Sequence, residues 1–548
     1  MMAPDRGASS RGRTIATARR GRLALTALGV IALAVLLSAC GAPPRPPKTA
    51  VIASGADLES GNPLVTVHTL SRQLQRHALF VTLVRLDSAL RAVPYYASRW
   101  QWDADRRAVT FTLVPDLRWH DGVPTSAHDV VFTIHAAQDA SLGSPRAGEV
   151  AMIESVVAPS DTTVRVLFRA ARTTLPTVLA ELPLVPQHLL DTVPRARWRE
   201  HPFSTAPVGN GPFRFVARSP GQQWRFAANP AFPASMGGPP QLAHLVVAVV
   251  DEAATKFAGL VSGALDLAGV SPTMAHLVAR DPTLALMSPP VLSSTVLAFN
   301  TTRAPFDDVR VRRAISLSID RARLVQAAAA GFGTPAWSAV PPGLPFSPPA
   351  PTVALDPRAA QAHAAQLLDA AGWRITATGG RAKDGQPLRI TLLTVGSGDM
   401  AVEQLVQADL AALGVDLQLR VMEMATFLAT VRASAKTFDV VLTGIPGDIA
   451  MGHLLAMFQQ SQRGGALDYT GYHTASLDSA LQAATQATDS ESPRAWARVS
   501  QELDLAMPVA WLYHARGVQG RSRHLEHVEM DLRGELTSVA QWSRRDRP

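Results

Sequence analysis

The chain has 548 residues, of which 47% are hydrophobic and 18% charged, with 41 prolines and a formal net charge of +8. That length exceeds one ordinary core and predicts two or three domains joined by many loops. The charge does not mark a nucleic-acid binder. Much of the excess sits in residues 1–39, where Arg6, Arg11, Arg13, Arg19, Arg20 and Arg22 face only Asp5, and no basic cluster follows before Arg544, Arg545 and Arg547. The single cysteine, Cys40, excludes an intrachain disulfide and a Cys-ligated metal cluster.

Arg19–Arg22 precede an apolar run from Leu23 to Leu37 and then Ser38-Ala39-Cys40-Gly41. A basic start, a short apolar run and small residues make a secretory signal, and the run is too short for a comfortable membrane span. Leu37-Ser38-Ala39-Cys40 reads as a lipobox, which makes Cys40 the lipidated residue after cleavage. The Pro-rich residues beyond it form an extended tether.

Along the mature chain, Val51 onward reads as a strand and then a loop ending Asn62-Pro63-Leu64. Val109, Phe111 and Leu113 alternate as in a half-buried strand. The word Trp119-His120-Asp121-Gly122 is a turn. Thr125 or Ser126 then caps a helix, with Asp129 placed for a capping box. His120 and Asp121 invite a catalytic reading, but turn and cap chemistry account for both. Residues 153–168 read as a hairpin around Pro159-Ser160-Asp161. His188, without a partner at ligand spacing, reads as structural rather than as a metal ligand. In Pro207-Val208-Gly209-Asn210-Gly211-Pro212-Phe213 the glycines read as turn residues, since a third Gly at dinucleotide-fingerprint spacing is missing. Gly263 suits a helix end.

Residues 297–333 hold a strand lead-in and two helices in tandem, the first capped by Asp307 or Asp308 and the second by Asp320. Asp356-Pro357 opens another helix that Gly372 ends. Residues 388–421 read as a β-α-β unit with parallel strands. Catalytic words are missing: there is no Gly-Lys dipeptide, no His-Glu-x-x-His and no Gly-x-Ser-x-Gly.

Four words in this order carry a resemblance: W-H-D-G-x-P-x-x-A-x-D-V-V-F from Trp119, P-V-G-N-G-P-F from Pro207, N-T-x-x-x-P-F-D-D-V-R-V-R-x-A-I-x-x-x-I-D-R from Asn300, and the run from Asp356-Pro357 to Trp373. Together they resemble the extracytoplasmic solute-binding proteins of ABC importers, family 5, the class that takes peptides and nickel. The resemblance implies an α/β, two-lobed periplasmic-binding-protein type II fold with an extra inserted subdomain, of the large, cluster C-like kind. It divides the chain into a lipoprotein signal peptide (1–39), a tether (40–50), lobe I in three parts (51–93, 206–295 and 516–548), an inserted subdomain (94–205) and lobe II (296–515).

The function so implied is capture of an oligopeptide or related small solute in an interlobe cleft. Delivery would be to an ABC permease with its ATPases, by a monomer held at the outer face of the membrane through its lipid. No enzyme activity, cofactor, metal or nucleic acid enters. In peptide-binding members an aspartate after a glycine-aromatic word pairs with the ligand α-ammonium group, and Asp448 holds the matching position. Gly444 and Ile445 precede it, Ile445 and Pro446 replacing the aromatic and its neighbour. By the same resemblance Tyr513 comes from a strand lining the cleft, and Val67, His68 and Thr69 from a main-chain edge beside the ligand. Two alternatives stand beside this reading: a lipid-tethered hydrolase or transferase, and a receptor or chaperone-like binder without an importer.

Overall fold

The computed structural model describes residues 46–66, 68–348, 356–396, 400–433, 435–465, 467–488 and 490–545. The signal stretch, Cys40 and Val67 lie outside the described residues.

The strand Thr49–Ser54 is central to a seven-stranded sheet. Its order is Leu284–Met287, Gln519–Ser522, Leu267–Gly269, Thr49–Ser54, His244–Val249, Gln223–Ala228 and Phe213–Ser219. Ala50, Ile52, Leu245 and Val247 point into one core with Phe213, Trp224 and Phe226. Val51, Ala53 and Ala248 face a smaller core supplied by the helices Ala253–Ser262 and Ala275–Arg280. Both faces are covered, so these strands read as apolar runs rather than as alternation.

A second sheet has six strands, in the order Gly333–Pro335, Val509–Arg516, Pro290–Phe299, Val440–Pro446, Arg389–Thr394 and Asp416–Val421. Val296 and Ala298 enter one core, and Leu297 and Phe299 the other. The β-α-β unit is present: Arg389–Thr394 runs parallel to Asp416–Val421, with the helix Ala401–Ala412 between them. The word that begins at Asn300 owes its content to packing. Asn300 is fully buried and donates to the carbonyls of Lys436 (3.1 Å) and Phe438 (2.7 Å). Phe299 and Phe306 stack at 5.2 Å. Asp308 caps the helix Val309–Ser318 and Asp320 the helix Arg321–Ala328.

A four-stranded antiparallel sheet, Ala97–Trp102, Ala108–Leu113, Thr163–Phe168 and Ile153–Ser160, carries the helix Ala127–Gln138. Ser126 and Asp129 form the expected capping box. Asp129 also accepts from Trp119 Nε1 (3.3 Å) and from the Gln187 amide (2.9 Å), so one carboxylate ties three separate words together. His188 Nε2 lies 2.8 Å from Asp121 Oδ2, and His120 Nε2 lies 3.0 Å from the Gly211 carbonyl, so each imidazole has a structural partner. Gly209 and Gly211 differ from the turn residues expected. Neither has positive φ; a Cβ would stand 2.0 Å from the Leu79 carbonyl oxygen at Gly209 and 2.6 Å from that of Ala78 at Gly211. Close backbone approach, not turn geometry, demands glycine there.

The chain passes from the seven-stranded to the six-stranded sheet at Ser288-Pro289 and returns at Gly517-Val518. The two passages touch: the Gly517 amide donates to the Pro289 carbonyl at 2.8 Å, and Arg516 Nε to Ser288 Oγ at 3.1 Å. Residues 48–548 form one compact unit.

Candidate functional site

The strand Val440–Pro446 leads into a tight loop, where the Gly447 amide donates to the Leu292 carbonyl at 2.5 Å. Asp448 follows. Its carboxylate accepts from the amides of Gly452 (3.0 Å) and His453 (3.1 Å) at the start of the helix Gly452–Phe458, and His453 Nδ1 stands 3.5 Å from Oδ2. Burial would push this carboxyl up. The His453 ring and the two amides outweigh burial and hold it below the usual aspartate range, so it is ionised. The side chain remains 34% exposed.

Facing it is a charged cluster drawn from residues 69–79, 146–149 and 178–181. The helix Thr69–Leu74 continues as a wider turn, Gln75–Leu79, and presents Arg72 and Arg76 four residues apart on one face. Arg72 reaches Glu149 and Glu181, each at 3.8 Å. Arg76 pairs with Glu181, and the buried Arg146 with Glu149 at 2.7 Å. Burial raises the Glu149 carboxyl; Arg146 and Arg72 oppose that, and the charges of Glu181 and Asp448 add to it. Burial also acts upward on Glu181, but Arg76, Arg146 and Arg72 overcome it and keep that carboxyl low. The Asp448 charge is therefore felt by both glutamates.

The other expected residues fall in two places. Gly444 and Tyr513 both register with Thr295, one on each neighbouring strand, so they lie in a row across the sheet. Gly444 is exposed, with open space where a side chain would be, and Tyr513 is half-buried against Gly333. Ile445 points to the opposite face and is buried in that core. His68 and Thr69 begin a helix: His68 caps it, with Nδ1 2.9 Å from Ser71 Oγ, while its own amide donates to Glu59 at 2.9 Å. Arg72, Arg76, Arg146, Glu149, Glu181 and His453 were not among the expected residues. No local pattern announces their meeting, because it joins elements from residues 69–79, 146–149, 178–181 and 448–453.

Two sheet-based lobes joined by paired crossings, with charged surfaces facing one another, define a class. This is a two-lobed periplasmic-binding-protein type II fold with an inserted subdomain. The chain belongs to the bacterial extracellular solute-binding proteins, family 5; the model of that family's middle region matches residues 91–465. It is 24% identical to the oligopeptide-binding protein AppA of Bacillus subtilis over 96% of this chain and 99% of that one. The AppA structure in complex with a nonapeptide superposes with a TM-score of 0.76, at 22% identity, over 91% of this chain and 99% of that chain. NikZ of Campylobacter jejuni in complex with Ni(L-His) gives 0.77 at 22% identity, over 91% and 100%. The ABC transporter substrate-binding protein CtaP of Listeria monocytogenes gives 0.78 at 18%, over 91% and 99%.

Proposed function

We propose that this protein is the substrate-binding component of an ABC importer, anchored by lipid at Cys40 outside the cytoplasm, and that it takes peptides by their free amino end at Asp448. The observation that carries this reading is the state of Asp448. It is an ionised, partly exposed carboxylate with no Lys or Arg within ion-pair distance among the described residues, and it faces two glutamates. Arg72, Arg76 and Arg146 match Glu149 and Glu181, which leaves Asp448 as the carboxylate of the group without an Arg or Lys partner among the described residues, and a primary ammonium group brings three donors to it. The full-length likeness to an oligopeptide-binding relative supports peptide over other solutes. Gly444 and Tyr513 would border the guest on one lobe, and the helix start at His68 and Thr69, with the preceding Val67, on the other as the resemblance implies. The two crossings at Ser288-Pro289 and Gly517-Val518 serve as the hinge by which the lobes close on the guest. The monomer then presents the closed form to the permease, and no bond in the guest changes.

Calorimetric titration with a short peptide and its N-acetylated analogue tests the reading. Asp448→Asn should weaken the free-amine peptide about 10- to 100-fold, the order of one lost charge-assisted hydrogen bond, and leave the acetylated form unchanged. Equal loss for both peptides refutes the assignment of Asp448, and turnover of the peptide refutes the binding role.

A further inference from the structure

Behind the turn Gln75–Leu79 lies a cavity of about 200 Å³, walled by that turn, the strand Val84–Leu86 and the C-terminal segment 529–541. Three guanidinium groups, Arg76, Arg85 and Arg533, line it together with His77 and two carboxylates, Glu181 and Glu529. Two of the three are already occupied. Arg76 pairs with Glu181, donates to the Arg533 carbonyl, and reaches His77 Nε2 at 3.1 Å. Arg533 grips Asp531 through Nε (3.0 Å) and Nη2 (2.6 Å) and donates to the Leu86 carbonyl at 3.0 Å.

Arg85 is different. Its guanidinium lies 3.6 Å over the Tyr95 ring, and Nη2 donates to the Tyr95 hydroxyl at 2.7 Å. No carboxylate pairs with it among the described residues, and its other N–H groups have no protein acceptor there. Its remaining N–H groups are therefore open to a guest in the cavity, and its planar fork matches the oxygens of a carboxylate or phosphate. Burial, with Arg76, Arg85 and Arg533 around it, keeps the His77 ring neutral. The volume suits a group of a few heavy atoms and not a peptide.

We propose that this cavity is a small-oxyanion subsite, in which Arg85 receives a carboxylate- or phosphate-sized group. The group has two possible sources: a free anion, or the carboxylate end of a ligand held in the cleft. Arg76 and Glu181 belong both to the cavity wall and to the charged cluster facing Asp448, so the two sites share a partition.

The test titrates the mature chain with inorganic phosphate and with acetate at constant ionic strength, against chloride, following the thermal midpoint. A saturable rise with phosphate or acetate, weakened at least tenfold in Arg85→Gln and in part restored in Arg85→Lys, supports the subsite. A free-acid peptide and its C-terminal amide then separate the sources. Loss confined to the free-acid peptide in Arg85→Gln assigns the site to the ligand's carboxylate, and a phosphate effect without peptide discrimination assigns it to a free anion. The anion titration stands whether or not the cleft takes peptides. Arg85→Lys, which keeps the charge but not the fork, serves as the folded reference should the glutamine variant unfold. The proposal falls if the wild type responds to phosphate and acetate no more than to chloride while both peptides bind alike to wild type and variants.

Discussion

Ser294 Oγ stands 2.8 Å from His514 Nδ1, joining the two strands that carry the chain between its sheets. A Ser–His pair of this kind is the start of a nucleophilic site, but both side chains are buried and a substrate has no approach. The pair is a brace within the crossing.

Acid should find that brace. Burial pushes the His514 ring down to about 4, against 6.5 when unfolded. Above pH 6.5 both states are neutral and the stabilisation is complete. As pH falls from 6.5 toward 4, the unfolded chain binds the proton first and stability is lost, on the order of 3 kcal/mol by the lower end. His120, lowered to about 4 by burial, acts in the same window. Urea midpoints measured from pH 7 to pH 4 should therefore decline, and His514→Gln should flatten the decline. Parallel curves for variant and wild type would sink this account.

Arg321 is a buried cation without a carboxylate in ion-pair contact among the described residues, the charge of Asp504 acting on it from farther off. Nε donates to the carbonyls of Ala336 and Trp511, Nη1 to that of Ser316, each at 2.8 Å, and the group lies 4.0 Å over the Trp337 ring. Arg321→Met should cost about 3–5 kcal/mol, because it leaves several buried acceptors unpaired. Arg321→Lys should recover little, since one ammonium cannot span them. A guanidinium chloride midpoint for the methionine variant within 1 kcal/mol (roughly) of wild type would contradict that role.

The glycines separate two kinds of constraint. Gly209→Ala drives a methyl into the Leu79 backbone and should abolish folding or lower the thermal midpoint by more than about 10 °C. Gly122→Ala meets open space but keeps a φ of +93°, so about 1 kcal/mol is expected. Scanning calorimetry giving the reverse order would refute the close-approach reading.

Much of the fold was legible because the information is local. The Ser126–Asp129 box, the Asp308 and Asp320 caps and the strand–helix–strand run over residues 388–421 each depend on neighbours within a few residues. The solute-binding resemblance was legible because its words are packing and capping devices that keep their spacing. Asp448 stood out only as a member of such a word. The sequence was silent on what it faces: Glu149 and Glu181 lie about 300 residues earlier on short helices whose composition is unremarkable in periodicity.

By itself, then, the sequence determined the class of the chain, the caps and the strand order within local units, and it singled out Asp448 as a candidate. The tertiary structure alone decided that Gly209 and Gly211 are contact points, that Ile445 is interior, and that Arg72, Arg146, Glu149 and Glu181 assemble opposite Asp448. The physical reason is range. Hydrogen-bonded caps and side-chain periodicity act over a few residues, whereas steric contact and charge act through space and leave no spacing in the chain to read.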